Sequence, residues 1–113
     1  MSVVWVEAII PALRRMINQS ELRLSAQRAL LGRIHREIRL VKVQAMGDSI
    51  VLSVVVDCEP SGLIREDISD AAAEIIADFP EAAKIEERLE VNSRSIAAEN
   101  VVMEGWVYRR AEP

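Results

Sequence analysis

Apolar residues recur at helical spacing through the first third of the chain. The residues that share this spacing are the apolar Leu13, Met16, Ile17 and Leu24, together with the small polar Ser20. Intervals of three and four positions are typical of one helix face. We therefore predict a helical N-terminal segment over residues 1–34.

Several residues of this segment are suited to helix ends. Asn18 or Ser25 could serve as an N-cap, and Gly32 as a C-terminal stop. Pro11 fits the first turn of a helix better than its middle. The pattern leaves open whether residues 1–34 form one bent helix or two.

Beyond Gly32 the pattern becomes that of extended chain. Residues 36–45 and 49–58 are rich in β-branched side chains, and residues 46–48 form a short turn between them. The pair is therefore predicted to be an antiparallel hairpin. Its second strand is apolar on both faces, which places it in the middle of a sheet.

The clearest helix follows at residues 61–79, with Ser61 as its N-cap and Pro80 after its end. Its apolar residues fall in one arc that should pack on the sheet: Ile64, Ile68, Ala71, Ala72, Ile75, Ile76 and Phe79. The opposite face of the helix is predicted to be acidic and exposed, and we define this acidic face as Glu66, Asp67, Asp70, Glu74 and Asp78.

Two more strands complete the predicted fold. Lys84–Val91 alternates between apolar and charged residues, and residues 101–109 form a last strand in which Glu104, Trp106 and Tyr108 share one face. The predicted fold class is α+β. We expect a single domain over residues 1–113, built as a two-layer α/β sandwich. A helix or helix pair precedes a ββαββ core, residues 36–110, with an antiparallel four-stranded sheet.

Composition excludes several classes of function. Of the 113 residues, 50% are hydrophobic but only 4% are aromatic, so a base-stacking surface is disfavoured and no nucleic acid partner is expected. Cys58 is the only cysteine, which excludes an internal disulfide and a cysteine-rich zinc site. No apolar run approaches the about 20 residues of a membrane span, and the N-terminal stretch is unlike a signal peptide. We expect a cytoplasmic protein without a membrane partner.

Charge is unevenly divided along the chain. Residues 1–45 carry eight Arg or Lys and three acidic residues, a balance of +5, whereas residues 46–113 carry six and fifteen, a balance of −9. We expect the basic part to pair with the acidic part within the fold. The five carboxylates of the acidic face form either a solvated face that keeps the protein soluble or a docking surface that attracts a basic protein partner. Neutralisation of these carboxylates by the chain's own arginines would remove the basis for the docking surface.

Catalytic chemistry has few candidates. His35 is the only histidine and could meet Cys58 as a nucleophile and base pair, and Asp57 with Glu59 could act as paired carboxylates at the end of the central strand. Glycines are scattered rather than grouped into a phosphate loop, and no residues have metal-ligand spacing. We expect no cofactor and no metal.

Three short strings resemble landmarks of a family of small bacterial proteins: residues 25–32 (SAQRALLG), 77–81 (ADFPE) and 106–110 (WVYRR). Some members of that family resemble immunity proteins of contact-dependent or polymorphic toxin systems. The resemblance spans residues 24–112. It implies a small, acidic, non-enzymatic inhibitor in the cytoplasm that covers a toxin's cationic surface.

Three hypotheses follow. The leading one is a non-enzymatic protein-binding module, an immunity-type inhibitor that neutralises a basic toxin domain through the acidic face, with Trp106 and Tyr108 as further contact residues. The second is a small-molecule or catalytic domain with a pocket near His35, Asp57, Cys58 and Glu59. The third is a structural homodimer formed by pairing of the last strands.

Overall fold

The computed structural model describes residues 17–94 and 105–112. Two helices and four strands follow in the order α, β, β, α, β, β. Their bounds are α1 Gln19–Ala29, β1 Ile38–Met46, β2 Ser49–Val56, α2 Gly62–Ala77, β3 Lys84–Val91 and β4 Trp106–Arg109. The α+β class predicted from the sequence is confirmed.

Polar side chains determine where both helices begin. The side chain of Asn18 accepts a hydrogen bond from the backbone N–H of Glu21 at 3.0 Å, and Ser61 does the same for Ile64 at 3.3 Å. These bonds satisfy backbone donors that the first helical turn leaves unpaired. Asn18 is therefore the N-cap of α1, whereas Ser25 lies inside that helix. Whether another helix precedes α1 lies outside the described residues.

The sheet is mixed, with strand order β3-β2-β1-β4. β1 pairs antiparallel with β2 and with β4, as expected, but β3 is parallel to β2, so the predicted all-antiparallel sheet is wrong. The reason is the crossover through α2: this helix returns the chain to the end of the sheet at which β2 starts, and β3 then runs in the same direction. The solvent-exposed face of β3 results from its position at the edge of the sheet and does not indicate an antiparallel pairing.

β2 lies between β1 and β3, as its apolar sequence predicts, and most of its side chains are buried. Residues 101–104 of the predicted last strand lie outside the described residues, and β4 covers Trp106–Arg109. β4 is the edge strand beside β1. A homodimer formed through this edge stays a prediction.

One hydrophobic core joins the two helices and the sheet. α1 contacts α2, β1 and β4, and α2 also contacts β3. The fully buried large side chains of this core are Leu22, Ile38, Val41, Val43, Ile50, Leu52, Val54, Val56 and Ile75. Burial of these aliphatic groups is the main stabilising contribution to such a fold. Neither α1 nor α2, the two helices of the described ranges, is long and apolar enough to cross a membrane.

Candidate functional site

The acidic face of α2 is divided between intramolecular contacts and solvent. Glu74 Oε2 lies 3.0 Å from Nη1 of Arg33, and Asp67 Oδ2 lies 2.6 Å from Nε2 of His35. Both partners belong to the segment that follows α1. These two carboxylates therefore hold that segment against α2.

Asp78, which caps the C-terminal end of α2, contacts α1 itself. The buried Ser25 hydroxyl donates a hydrogen bond of 2.6 Å to Asp78, and Arg28 lies 3.5 Å from the same carboxylate. The predicted pairing between the basic first part of the chain and its acidic second part is confirmed at these contacts. Their contribution to stability is modest where the side chains are exposed, because water and salt screen them.

The geometry of α2 explains this division. At 3.6 residues per turn, the centre of the acidic face lies about 130° from the centre of the apolar arc, so part of the face is a flank of the helix rather than the opposite side that was predicted. Asp67, Glu74 and Asp78 are nearest the apolar arc, on the flank that faces α1. Glu66 and Asp70 lie farther round and are exposed. Within residues 17–94 and 105–112 neither of these two has an ion pair or side-chain hydrogen bond.

Of the residues of the second predicted site, Asp57 and Cys58 share a side-chain hydrogen bond, but the structure does not gather the four residues into one cluster. His35 is bound to α2, Asp57 accepts a hydrogen bond of 2.9 Å from Arg110, and Glu59 pairs with Arg65 at 2.8 Å. In the described part of the chain no hydrogen bond joins His35 to Cys58. Each of these groups has an electrostatic partner elsewhere, so the geometry does not favour a shared catalytic task.

The local electrostatics also make Cys58 a poor nucleophile. A hydrogen bond with Asp57 raises the pKa of the exposed Cys58 thiol above its ordinary value of 9.0, and desolvation adds to this. The pKa of Asp57 itself is lowered, chiefly by the hydrogen bond from Arg110. A thiol with a raised pKa carries little thiolate near neutral pH, and the thiolate is the reactive form. Among the described residues, no group of three or more His, Cys, Asp or Glu could hold a metal ion.

Trp106 and Tyr108 lie on β4 next to α1. The guanidinium of Arg23, on α1, lies over the Trp106 ring with its carbon 5.1 Å from the ring centroid, which is cation–π geometry. Nε of Arg23 is buried and has no hydrogen-bond partner. Sequence reasoning identified both aromatic residues as candidates, but it did not identify Arg23 as a neighbour of Trp106, because the two residues are more than 80 positions apart in the chain.

An open groove with a volume of about 300 Å³ continues along this seam between α1 and β4. We call it the α1–β4 groove. Its lining is mainly apolar: Gln27, Leu30, Leu31, Gly32, Ile34, Val107 and Tyr108. Leu31 is 77% exposed and Ile34 is 36% exposed, although both are large aliphatic residues. Sequence reasoning missed this groove, because its lining comes from α1, the segment after it and β4, which are far apart in the chain.

The fold and these surfaces define a small α+β protein that carries, in its described part, a partly exposed acidic helix flank and an apolar groove. The sequence model of the MafI2 immunity protein matches residues 19–112, which include every described helix and strand. The chain belongs to the MafI2 immunity protein family. The resemblance drawn from three short strings is thereby confirmed, and the matched region begins slightly before residue 24. No curated protein matches the chain.

Proposed function

We propose that this chain is an immunity-type inhibitor that binds and neutralises a toxin domain with a basic surface. Membership of the MafI2 immunity protein family is the observation that carries the proposal. An immunity protein acts by binding its toxin, so a protein partner rather than a substrate is expected. The net charge of −4 and the outward carboxylates of α2 favour a cationic partner.

Within the acidic face, we assign the contact with the toxin to Glu66 and Asp70. Both are exposed and project from a rigid helix, so their charges are free to act on an approaching cation. Asp67, Glu74 and Asp78 belong to the same proposed surface, but their contacts with α1 and with the segment that follows it give them a second, positioning role.

A growth-protection assay tests the function. The toxin domain is taken from the gene beside the one that encodes this chain and is expressed in a bacterial host, with and without the chain. We expect the toxin to arrest growth and the chain to restore it, and we expect the two purified proteins to form a stable complex. Absence of both protection and binding would reject the proposed function.

Charge reversal tests the assigned surface. The double variant Glu66→Lys, Asp70→Lys should associate more slowly with the toxin and bind it more weakly, with a reduced dependence on salt. Glu90→Lys is the matched control, because Glu90 is an exposed carboxylate on β3 outside the acidic face. Circular dichroism should show all variants folded. If the double variant binds as tightly as the control, α2 is not the contact surface.

A further inference from the structure

Exposed large aliphatic side chains are concentrated around α1. Leu24, on this helix, is 56% exposed, and Leu31 and Ile34, in the segment after it, are 77% and 36% exposed. Leu31 and Ile34 line the α1–β4 groove. Single exposed leucines are common, but aliphatic residues grouped at the mouth of a concave apolar surface are typical of a contact site for another chain.

Arg23 supplies an uncompensated positive charge beside the groove. Within the described residues it has no carboxylate partner, and its contact is the face of Trp106. Its Nε is buried without a hydrogen-bond acceptor. The Arg23 side chain as a whole is only half-buried, so a carboxylate that reached its guanidinium from outside would gain an ion pair.

The Arg23 guanidinium and the α1–β4 groove lie next to each other along α1 and β4. Gln27 lies one turn after Arg23, about 6 Å along α1, and Tyr108 lies two residues after Trp106, about 7 Å along β4. The Arg23–Trp106 contact and the groove are therefore neighbouring parts of one seam. A ligand that fits both carries an apolar group and an anionic group separated by this distance.

We infer that the α1–β4 groove binds an aliphatic side chain of the toxin and that Arg23 pairs with a carboxylate of the same toxin segment. The inference rests on the proposed function and adds a second contact to it. The two contacts differ in charge. The exposed carboxylates of α2 attract basic groups of the toxin, whereas Arg23 attracts an acidic group. Such a segment has its acidic and aliphatic residues two positions apart if extended, or four apart if helical. Arginine, tryptophan and tyrosine are also the residues most enriched among those that dominate binding energy.

Variants at the groove test this inference against the toxin domain used in the growth-protection assay. Leu31→Asp and Arg23→Glu should each weaken binding at least about 30-fold, the loss typical of a residue that dominates an interface. Met46→Asp is the matched control, because Met46 is 56% exposed at the hairpin, away from the groove. The substituted side chains are exposed or half-buried, so the variants should fold, which circular dichroism checks.

A charge exchange identifies the carboxylate. Each acidic residue of the toxin domain is replaced by arginine in turn, and one replacement should restore binding to Arg23→Glu while weakening binding to the wild-type chain. Wild-type affinity for both groove variants would overturn the inference and leave the proposed function intact. Lost binding without any rescuing replacement would overturn the carboxylate assignment. If the wild-type chain neither binds nor protects, the proposed function and this contact are both rejected.

Discussion

Arg39 and Glu112 form a two-point ion pair that joins the start of β1 to the C-terminal residues. Nε of Arg39 lies 2.7 Å from Oε2 of Glu112 and Nη2 lies 2.5 Å from Oε1, while Nη1 donates a hydrogen bond to the backbone oxygen of Asn92. The Arg39 side chain is only 3% exposed. One buried guanidinium therefore holds together β1, the segment after β3 and the segment after β4.

This ion pair predicts sensitivity to acid. The hydrogen bond and charge of Arg39 lower the pKa of Glu112 from 4.5 to about 2. Because the folded-state pKa is the lower one, the pair stabilises the fold fully above pH 4.5, and this stabilisation is lost as the pH falls towards 2. The lowered pKa of Asp57 acts in the same direction. Urea unfolding at several pH values should show wild-type stability falling through this range.

Glu112→Gln provides the comparison. The variant should be less stable than the wild type at neutral pH and should lose less stability across the acid range, since one titrating group is absent. Glu90→Gln, which changes an exposed carboxylate, should retain the wild-type pH profile. Identical pH profiles for Glu112→Gln and the wild type would contradict the attribution of acid sensitivity to the Arg39–Glu112 ion pair.

Asp57 is predicted to suppress the reactivity of Cys58. The variant Asp57→Asn removes the carboxylate whose hydrogen bond, and to a lesser degree whose charge, raises the pKa of the Cys58 thiol, so the thiolate fraction should rise and alkylation by iodoacetamide should become faster. Glu59→Gln is a suitable control, because Glu59 pairs with Arg65 and flanks the cysteine on the other side. An alkylation rate that is the same in both variants would show that Asp57 does not control this thiol.

Gln19 is predicted to complete the sheet edge next to β4. Its side-chain amide donates to the backbone oxygen of Val43 at 2.8 Å and accepts from the backbone N–H of Ala45 at 3.2 Å. Gln19→Ala should lower the free energy of unfolding by about 1–2 kcal/mol and speed hydrogen exchange at Ala45. Ser20→Ala, at the adjacent exposed position of α1, should do neither. Equal stability of the two variants would exclude this role.

Substitution of a paired carboxylate of the acidic face should affect stability more than substitution of an exposed, unpaired one. Glu74→Lys places a positive charge beside Arg33 and should cost about 0.5–1 kcal/mol, less at high salt. Glu66→Lys has no such neighbour and should change stability by less than about 0.5 kcal/mol. The charge exchange Arg33→Glu with Glu74→Lys should restore most of the loss. A double variant less stable than Glu74→Lys alone would contradict the pairing.

Much of the local structure could be predicted because its causes lie within short stretches of sequence. Ser61 and Pro80 bracket a helix whose observed bounds, Gly62–Ala77, lie within two residues of the predicted end points. β-Branched runs on either side of the turn at Gly47 predicted the hairpin, and the two-sided apolar pattern of β2 predicted its central place. Helix caps, turns and burial patterns depend on neighbouring residues and on the period of the element, which a sequence displays directly.

Features that depend on contacts between elements far apart in the chain could not be predicted from the sequence and were decided by the tertiary structure. The return path through α2 sets the parallel direction of β3, and an alternating pattern alone does not distinguish this from an antiparallel edge strand. The helical pattern grouped the carboxylates of the acidic face, but it did not show that Asp67, Glu74 and Asp78 form a flank packed against α1 and the segment that follows it. The contacts of Arg23 with Trp106 and of Arg39 with Glu112 likewise join residues more than 70 positions apart. Periodicity records which face of an element is buried, whereas the partner on that face is chosen by the packing of the whole core.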